Sequence, residues 1–388
     1  MYDFDNLIDR LSTGSVKWTA QTSCRSTVWP DVIPMWVADM DFASPPAVTE
    51  ALAARAGHPV YGYAAKPEAF FDAFSGWMRG RHGVRVERPW LSFSPGVVPA
   101  IATAIRAFTA PGDGVVITTP VYHPFKHLID KNRRTTVEAP LALRGGRYEL
   151  DLEALDAACA RSRLLVFCSP HNPVGRVWNA DELRAVAEIV VRRDVVMMSD
   201  EIHADLVYGP GRLVSTIGLD ERLQSRLIAA WAPSKTFNIA GLQASCIVTP
   251  DPDRRAAFDR ESEAAGIGSP NCMAQAAAVA AYTRGGPWLD EALGYMKGNY
   301  DLLASALASR APAIRVHPCE GTFLAWLDLR GAGLDGDVGA ELMERAGLWL
   351  DAGVRFGTGG SGFARLNFGC PRSVIRTAVD RLSKAFGP

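Results

Sequence analysis

Four short polar motifs follow apolar runs of the sequence and carry residue types from which a catalytic site can be built. They are SPGVVPA (94–100), SPHNPVG (169–175), SDEIH (199–203) and APSK (232–235). In an open α/β sheet, ligands bind outside the carboxyl ends of the strands, so polar residues that follow strands are expected to converge there. The four motifs are therefore the first places in which to look for site residues.

Lys235 and Asp200 each come at the end of an apolar run and offer an amine and an acid. Desolvation lowers the pKa of an amine and frees its lone pair, so Lys235 is a candidate Schiff-base former, although a surface lysine is the commoner case. Asp200 is a candidate partner for a pyridinium nitrogen, and a helix N-cap explains it equally well. Asn172 can donate its amide to a phenolate oxygen, while Asn-Pro is first of all typical of a turn.

A candidate anion site precedes the helix-like stretch that begins near Pro99. Gly96 permits close approach to the backbone, and proline is well tolerated in the first helical turn. Free N–H groups and the positive end of a helix favour an anion such as a phosphate. A single glycine before a helix also fits an ordinary loop and cap, so this feature alone does not distinguish an anion site from a structural turn.

Two other patterns resemble functional sites less well. His123 and His127 have metal-ligand spacing, but Pro124 lies between them and no HExxH glutamate is present, so we expect no metal. The stretch GTGGSG (357–362) looks like a phosphate loop, yet the strand-like FARLNF follows it instead of a helix. A conformational role is favoured for these glycines.

The elements that would position these residues alternate between strands and helices. Short apolar runs bounded by turn residues predict strands, and a helix-like segment at 181–192 is long enough for a crossover between two of them. The predicted strands are Val115–Thr119, Leu164–Ser169, Val195–Ser199, Leu227–Trp231 and Ser245–Thr249. Buried strands joined by helices indicate an α/β fold with a mainly parallel sheet covered on both faces.

The chain of 388 residues is longer than one compact core usually accommodates, so we expect two lobes around a cleft. Residues 1–45, rich in Trp and Pro, are expected to form an arm that packs on the body and belongs to the smaller domain. Residues 46–287 are assigned to the large domain. Residues 288–388 are assigned to a smaller α+β domain.

Composition excludes several classes of function. A net charge of −1 gives no support for a nucleic-acid partner, which would need a basic face, and no run is apolar enough to span a bilayer. The first residues, MYDFDNLIDR, lack the pattern of a secretory signal. Seven scattered cysteines without a CxxC pair indicate reduced thiols, so we expect a cytoplasmic protein.

The motifs together resemble one family. Asn172, Asp200 twenty-eight residues later and Lys235 thirty-five after that resemble the fold-type I pyridoxal-phosphate (PLP) enzymes of aminotransferase class I/II. Further motifs resemble the cystathionine β-lyase-like branch, the MalY/PatB group of C–S lyases, over essentially the whole chain. They are PMWVADMDF (34–42), YGY (61–63), SPGVVPAI (94–101), PVYHPF (120–125), SDEIHADL (199–206) and GFARLNFGCPR (362–372).

The resemblance implies PLP as cofactor, a large domain with a seven-stranded type of sheet, and roles for the residues around the cofactor ring. Lys235 carries the cofactor and shuttles the substrate proton. Asp200 pairs with the pyridine nitrogen, and Tyr122 stacks on the ring, so these three form the catalytic set. Asn172 contacts the phenolate oxygen, and His203 stands near it where many relatives have tyrosine.

The resemblance also implies how phosphate and substrate are held. Gly96, Val97 and Ser234 bind the phosphate, and Tyr61 reaches it from the other subunit of a homodimer with shared active sites. Many members carry an arginine where this chain has Gln243, which leaves the charge partner of the phosphate open.

Substrate contacts are implied for three residues. Arg365 binds the α-carboxylate of an amino acid, a task suited to a planar bidentate group. Trp36 in the arm is expected to fold over the cleft beside Tyr122 and surround a thioether side chain with apolar surface. Asn172 is expected to contact the substrate as well.

The leading functional hypothesis is β-elimination on L-cystathionine or other cysteine S-conjugates, with release of a thiol, pyruvate and ammonia. An aminotransferase shares the same first steps and is the alternative, because fold does not fix the reaction. A regulatory binding role added to catalysis is a further alternative, whereas a purely binding protein is disfavoured by the intact set of Lys235, Asp200, Asn172 and Arg365. A metal hydrolase using Asp200 and His203 is the remotest alternative.

Overall fold

The computed structural model describes residues 2–19, 26, 28–65, 68–209 and 213–388. Cys24 lies outside these ranges. The strands, in chain order, are β1 (Ile33–Pro34), β2 (Leu91–Ser94), β3 (Gly114–Ile117), β4 (Thr135–Glu138), β5 (Ala142–Arg144), β6 (Arg147–Glu149), β7 (Leu164–Cys168), β8 (Val196–Asp200), β9 (Leu227–Trp231), β10 (Ser245–Val248), β11 (Arg315–Val316), β12 (Leu324–Asp328), β13 (Leu348–Trp349), β14 (Asp351–Ala352) and β15 (Phe363–Asn367).

The α-helices, in chain order, are α1 (Val16–Thr19), α2 (Pro46–Ala56), α3 (Glu68–Trp77), α4 (Val97–Phe108), α5 (Pro124–Lys131), α6 (Leu152–Cys159), α7 (Ala180–Arg192), α8 (Glu221–Gln224), α9 (Pro233–Thr236), α10 (Pro252–Ala264), α11 (Cys272–Arg284), α12 (Gly286–Arg310), α13 (Gly339–Ala346) and α14 (Arg372–Phe386). None of the helices in the described ranges has the length and apolarity that a bilayer span requires. Within the same ranges, no group of three or more His, Cys, Asp and Glu side chains is placed to hold a metal ion.

A seven-stranded sheet forms the centre of the molecule, in the order β2-β10-β9-β8-β7-β3-β4. Strands β9, β8, β7, β3 and β4 pair in parallel, whereas β10 runs antiparallel to both of its neighbours. The predicted α/β class with a mainly parallel sheet is therefore confirmed. All five predicted strands form, and the segment predicted as a crossover helix is α7.

Both faces of this sheet are covered, and alternate strand residues feed two apolar clusters. In β7, Leu164, Val166 and Cys168 join the cluster beneath α4, α5 and α10. Leu165 and Phe167 of the same strand join the other and larger cluster, which continues into the small sheet. Because both faces are buried, the strand is a continuous apolar run, which made it recognisable in the sequence.

Strands β2 and β4 were not predicted. Both lie at the edges of the sheet, and β4 has an exposed first residue and only one fully buried position, Val137. An edge strand with solvent on one side lacks the continuous apolar run of a central strand. The sequence pattern therefore found the interior of the sheet and missed its edges.

The C-terminal part of the chain forms a four-stranded antiparallel sheet in the order β11-β12-β15-β14. The N-terminal arm reaches this region, since Ile33 of β1 pairs in parallel with Leu348 of β13. Ion pairs of Arg10 and Lys17 with Asp39 and Asp41 join the beginning of the arm to its end. The arm is thus held together by ion pairs of its own and bound to the C-terminal region by backbone pairing.

The glycines that follow β14 serve packing. A Cβ atom at Gly353 would lie 2.1 Å from the carbonyl oxygen of Gly360, and one at Gly357, whose φ is +90°, would lie 2.7 Å from Thr119. Glycine accepts both the close approach and the positive φ without steric cost. These glycines fold the segment before β15 tightly against the loop after β3.

Candidate active site

A cavity of about 320 Å³ opens at the carboxyl edge of the seven-stranded sheet. A volume of this size is at the lower end of the range found for small-molecule sites. Eight of the predicted site residues line it: Gly96, Val97, Tyr122, Asn172, Asp200, His203, Ser234 and Lys235. Gln243 also lines it, whereas Tyr61, Trp36 and Arg365 are not among its lining residues.

Lys235 lies in α9, directly after the buried strand β9, with Pro233 in the first turn of the helix. Its Nζ atom donates a hydrogen bond to the carbonyl oxygen of Ala38, at 2.6 Å. Burial lowers the pKa of Lys235 to about 8, although Asp39 and Asp200 oppose this shift. A substantial fraction of the amine is therefore neutral and nucleophilic in mildly alkaline water.

A buried carboxylate beneath α9 fixes the position of the lysine. Asp205 accepts hydrogen bonds from the hydroxyl of Thr236 at 2.7 Å and from the indole of Trp77 at 2.9 Å. It also lies 2.7 Å from His82 Nε2. Because Thr236 follows Lys235 directly, the carboxylate ties the lysine-bearing helix to the helical segment that follows α3.

Asp200 is the last residue of β8, and its Oδ1 atom accepts a hydrogen bond from the N–H of Ile202 at 3.1 Å. Burial raises the pKa of Asp200 to about 7, while that hydrogen bond and Lys235 oppose the shift. Turns rather than a helix follow it, so the helix N-cap alternative is wrong. The carboxylate is poised to become fully charged when a cationic partner enters the cavity.

Asn172 and His203 supply further polar groups to the cavity wall. Asn172 Oδ1 accepts a hydrogen bond from Arg365 Nη1 at 3.0 Å, so the orientation of this amide is fixed. Burial lowers the pKa of His203 to about 3, with Lys235 and Arg365 contributing, so the imidazole is neutral at physiological pH. Its buried Nδ1 atom has no hydrogen-bond partner among the described residues. An unpaired buried polar atom of this kind is costly unless a ligand completes it.

The N-terminus of α4 faces the same cavity. Gly96 is the N-cap, and the Ala100 N–H makes the first bond of the helix, to the carbonyl of Gly96. The N–H groups of Val97 and Val98 belong to the first turn, where a helix offers no acceptor. Together with Ser234, these groups line one end of the cavity in an arrangement suited to an anion.

Arg365, in β15, is almost fully buried and adjoins the cavity wall through Asn172. Its Nη2 atom donates to the carbonyl of Trp36 at 2.6 Å and to Oδ2 of Asp351 at 2.8 Å. Its guanidinium group stacks over the ring of Phe356, with 5.0 Å between Cζ and the ring centroid. Nε has no partner among the described residues. The planar group is therefore held rigidly.

Trp36 and Tyr61 lie outside the cavity. The Trp36 ring stacks on Trp349 at 4.8 Å, and its backbone carbonyl holds Arg365. The Tyr61 side chain is 60% exposed, and its hydroxyl donates to the Ala56 carbonyl.

Sequence reasoning missed several residues that shape the site. Ala38 contributes a backbone carbonyl, and Cys168 lines the cavity from the end of β7. Asp205 was within a recognised motif but had no assigned role. Nothing in the sequence distinguishes Asp351 from the other aspartates, because its importance comes only from its packing against Arg365.

Comparisons with known proteins agree with this geometry. The family model of aminotransferase class I and II matches residues 30–382. The cystathionine β-lyase PatB of Bacillus subtilis (strain 168) is 39% identical over 386 residues, covering 99% of both chains. The protein MalY of Escherichia coli (strain K12) is 33% identical over 390 residues, again covering 99% of both. The crystal structure of cystalysin from Treponema denticola, which contains pyridoxal 5′-phosphate, superposes with a TM-score of 0.96 at 37% identity, covering 99% of this chain and 98% of that one. The family predicted from the sequence motifs is confirmed.

Two buried aspartates five residues apart give a prediction about pH. In the folded chain Asp200 keeps its proton up to about pH 7, whereas in the unfolded chain it ionises near pH 4. The folded protein therefore loses stability as pH rises from about 4 to 7. We expect Asp200→Asn in the cofactor-free protein to become progressively more stable than wild type over this range, by on the order of a few kcal/mol at pH 8.

Asp205→Asn is the matched control. Although burial alone would raise the pKa of Asp205, hydrogen bonds from His82, Thr236 and Trp77 lower it, so its charge stabilises the fold at neutral pH. This variant should be less stable than wild type at pH 8, by about 1–3 kcal/mol. Denaturant unfolding across the pH range measures both. Equal and pH-independent effects of the two substitutions would contradict the assignment.

Proposed function

Because the chain belongs to the class I and II aminotransferase family, we propose that it is a pyridoxal-phosphate-dependent lyase. It would cleave the Cβ–S bond of L-cystathionine or other cysteine S-conjugates and release a thiol, pyruvate and ammonia. The observation that supports this most is the single cavity in which Lys235, Asp200 and the N-terminus of α4 meet. An amine, an acid and an anion cradle are the three groups that an aldehyde, a pyridine nitrogen and a phosphate require.

The residues present fit this cofactor. Lys235 would hold its aldehyde carbon, and Asp200 its pyridine nitrogen, since a cationic nitrogen would offset the buried carboxylate. Asn172 and the unpaired Nδ1 of His203 would face its phenolate oxygen. Tyr122 would pack against the ring. When bound, the cofactor supplies an electron sink for negative charge at the substrate Cα.

Phosphate binding would fall to the N–H groups of Val97 and Val98, with Ser234, and Gly96 would permit close approach of the phosphate to the backbone. Gln243 stands at the same cavity and carries no charge. Helix dipole and hydrogen bonds would therefore provide most of the stabilisation from within this subunit.

Proton transfer at the substrate Cα would be the task of Lys235. An amine with a pKa near 8 is a competent base and, once protonated, a competent acid at neutral pH. The neighbouring Ala38 carbonyl, which accepts a hydrogen bond from Nζ, would stabilise the protonated form. Elimination then breaks the Cβ–S bond with departure of a thiolate, and the three-carbon remainder reacts with water to give pyruvate and ammonia.

The substrate would be oriented by Arg365, whose guanidinium group is fixed by Asn172, Asp351 and the Trp36 carbonyl. A planar donor held in this way binds a carboxylate with defined geometry. The Trp36 carbonyl contacts this arginine, and the Trp36 ring, stacked on Trp349, would offer apolar surface suited to a thioether side chain. The names of PatB and its relatives favour carbon–sulfur cleavage over amino transfer.

Product analysis tests the proposed reaction. Purified holoenzyme given L-cystathionine should release a thiol and pyruvate in equal amounts with no 2-oxo acid added. Thiol titration and a coupled pyruvate assay measure the two products. Amino transfer to added 2-oxo acids that outpaces thiol release, across several thioether donors, would make the protein an aminotransferase instead.

We also propose a homodimer in which Tyr61 completes the phosphate site of the partner subunit. The segment around Tyr61 supports this, because Val60, Tyr61 and Tyr63 are large side chains with 60% or more of their surface exposed in the single chain. Exposed apolar groups clustered in one segment are typical of a surface that is covered by a partner.

Subunit complementation tests the shared site. Tyr61→Ala and Lys235→Ala should each be nearly inactive alone, and mixing them with subunit exchange should restore activity through one intact site per mixed dimer. Tyr63→Ala, at a neighbouring tyrosine that is still more exposed, serves as the control and should stay active by itself. Demonstrated exchange without recovery would contradict a shared site.

A further inference from the structure

A buried carboxylate links Arg365 to a second arginine. Asp351 is 1% exposed, and its Oδ2 atom lies 2.8 Å from Arg365 Nη2 while its Oδ1 atom lies 2.6 Å from Arg355 Nη1. The Arg365 side chain is buried, whereas that of Arg355 is 45% exposed. One carboxylate thus bridges two guanidinium groups, one inside the protein and one at its surface.

This arrangement poses an electrostatic problem for the proposed function. Arg365 is proposed to bind the substrate's α-carboxylate, yet it already faces the negative charge of Asp351. Burial lowers the pKa of Arg365, and Asp351 opposes that shift, so the carboxylate keeps the arginine charged. The same carboxylate repels any second anion at short range in a region of low dielectric constant.

The other titratable groups around Asp351 do not offset this charge. Burial lowers the pKa of His123, which lies 3.8 Å from Asp351, to about 4, so its imidazole is neutral at pH 7. Burial raises the pKa of Tyr122, so the phenol keeps its proton and is also neutral. Arg365, Asp351 and Arg355 therefore carry a net charge of +1 between them, which matches one incoming carboxylate.

The local fold holds Arg355 at this place. It lies in a 3₁₀ turn, Gly353–Phe356, whose last residue packs its ring against Arg365. The Val121 N–H, next to Tyr122, donates to the carbonyl of Phe356 at 2.9 Å. The close contact between Gly353 and Gly360 makes this turn rigid. The second arginine is therefore built into the wall that carries the substrate-binding groups.

We propose that Arg355 is a positioning residue that neutralises Asp351, so that Asp351 can hold Arg365 in place while Arg365 keeps its positive charge for the substrate's α-carboxylate. This inference rests on the proposed function of Arg365. It assigns to the exposed arginine an effect on every amino-acid substrate, whatever its side chain. A subsite for a distal carboxylate would instead affect only substrates that carry one.

A charge cycle on the holoenzyme tests the proposal. The variants are Arg355→Gln, Asp351→Asn and the double variant, which change the net charge of the three-residue cluster from +1 to 0, +2 and +1. The probe is L-norleucine, an amino acid with no leaving group and no distal charge, and its Kd is measured by calorimetry. The Kd should rise roughly tenfold in Arg355→Gln, fall in Asp351→Asn, where the amide oxygen still accepts a hydrogen bond from Arg365, and return to near the wild-type value in the double variant.

Steady-state kinetics with S-ethyl-L-cysteine and L-cystathionine provide the second measurement. Arg355→Gln should raise KM for both thioethers to a similar degree while kcat stays within about threefold of wild type. Arg355→Lys should restore KM, since it keeps the charge. Arg184→Gln, which removes a similarly exposed arginine paired with Asp181, is the control and should change nothing.

Several results would overturn the inference. If the double variant binds L-norleucine more weakly than either single variant, the ion pair has a merely structural role. The same conclusion follows if Arg355→Lys raises KM as much as Arg355→Gln does. An effect of Arg355→Gln confined to L-cystathionine indicates a distal carboxylate subsite. Absence of L-norleucine binding and of thiol release in the wild-type enzyme would overturn the proposed function itself.

Discussion

The burial of an amine and an acid in one cavity is the constraint on which the rest of the structure depends. Desolvation lowers the pKa of Lys235 to about 8 and raises that of Asp200 to about 7, so both groups change charge near neutral pH. Neither pKa shift would occur in a side chain surrounded by water, since each requires the apolar walls that the sheet and its helices provide. The carboxyl edge of the sheet brings the two groups together because β8 and β9 are parallel neighbours that end side by side.

Much of the surrounding structure keeps this cavity in shape. Asp205 anchors the helix of Lys235 from below, and the arm contacts the lysine from the other side through the Ala38 carbonyl. The arm is itself held by the side chains of Asn238 and Asn367, which donate to its backbone carbonyls. Backbone groups that bond to site residues cannot drift without breaking several hydrogen bonds at once. The site is therefore rigid before any ligand enters.

The sequence predicted the centre of the fold and the inner part of the site. Buried parallel strands are continuous apolar runs, and the rule that ligands bind at their carboxyl ends pointed to Lys235, Asp200 and Asn172. Edge strands such as β4 have no such run and were missed. Asp351 was missed for another reason: its role depends on Arg365, which faces it only because β14 pairs with β15, as well as on Arg355 in the adjoining turn. The role of Tyr61 at the partner's phosphate site remains a prediction.

The central claim is that Lys235 is the amine that carries the cofactor, and reduction by borohydride tests it most directly. Treatment of the yellow holoenzyme should fix the pyridoxyl group to a single lysine, and peptide mapping by mass spectrometry identifies that residue. The account predicts the label on Lys235 and its loss in Lys235→Ala. A label on any other lysine, or the same labelling yield in that variant, would contradict the account.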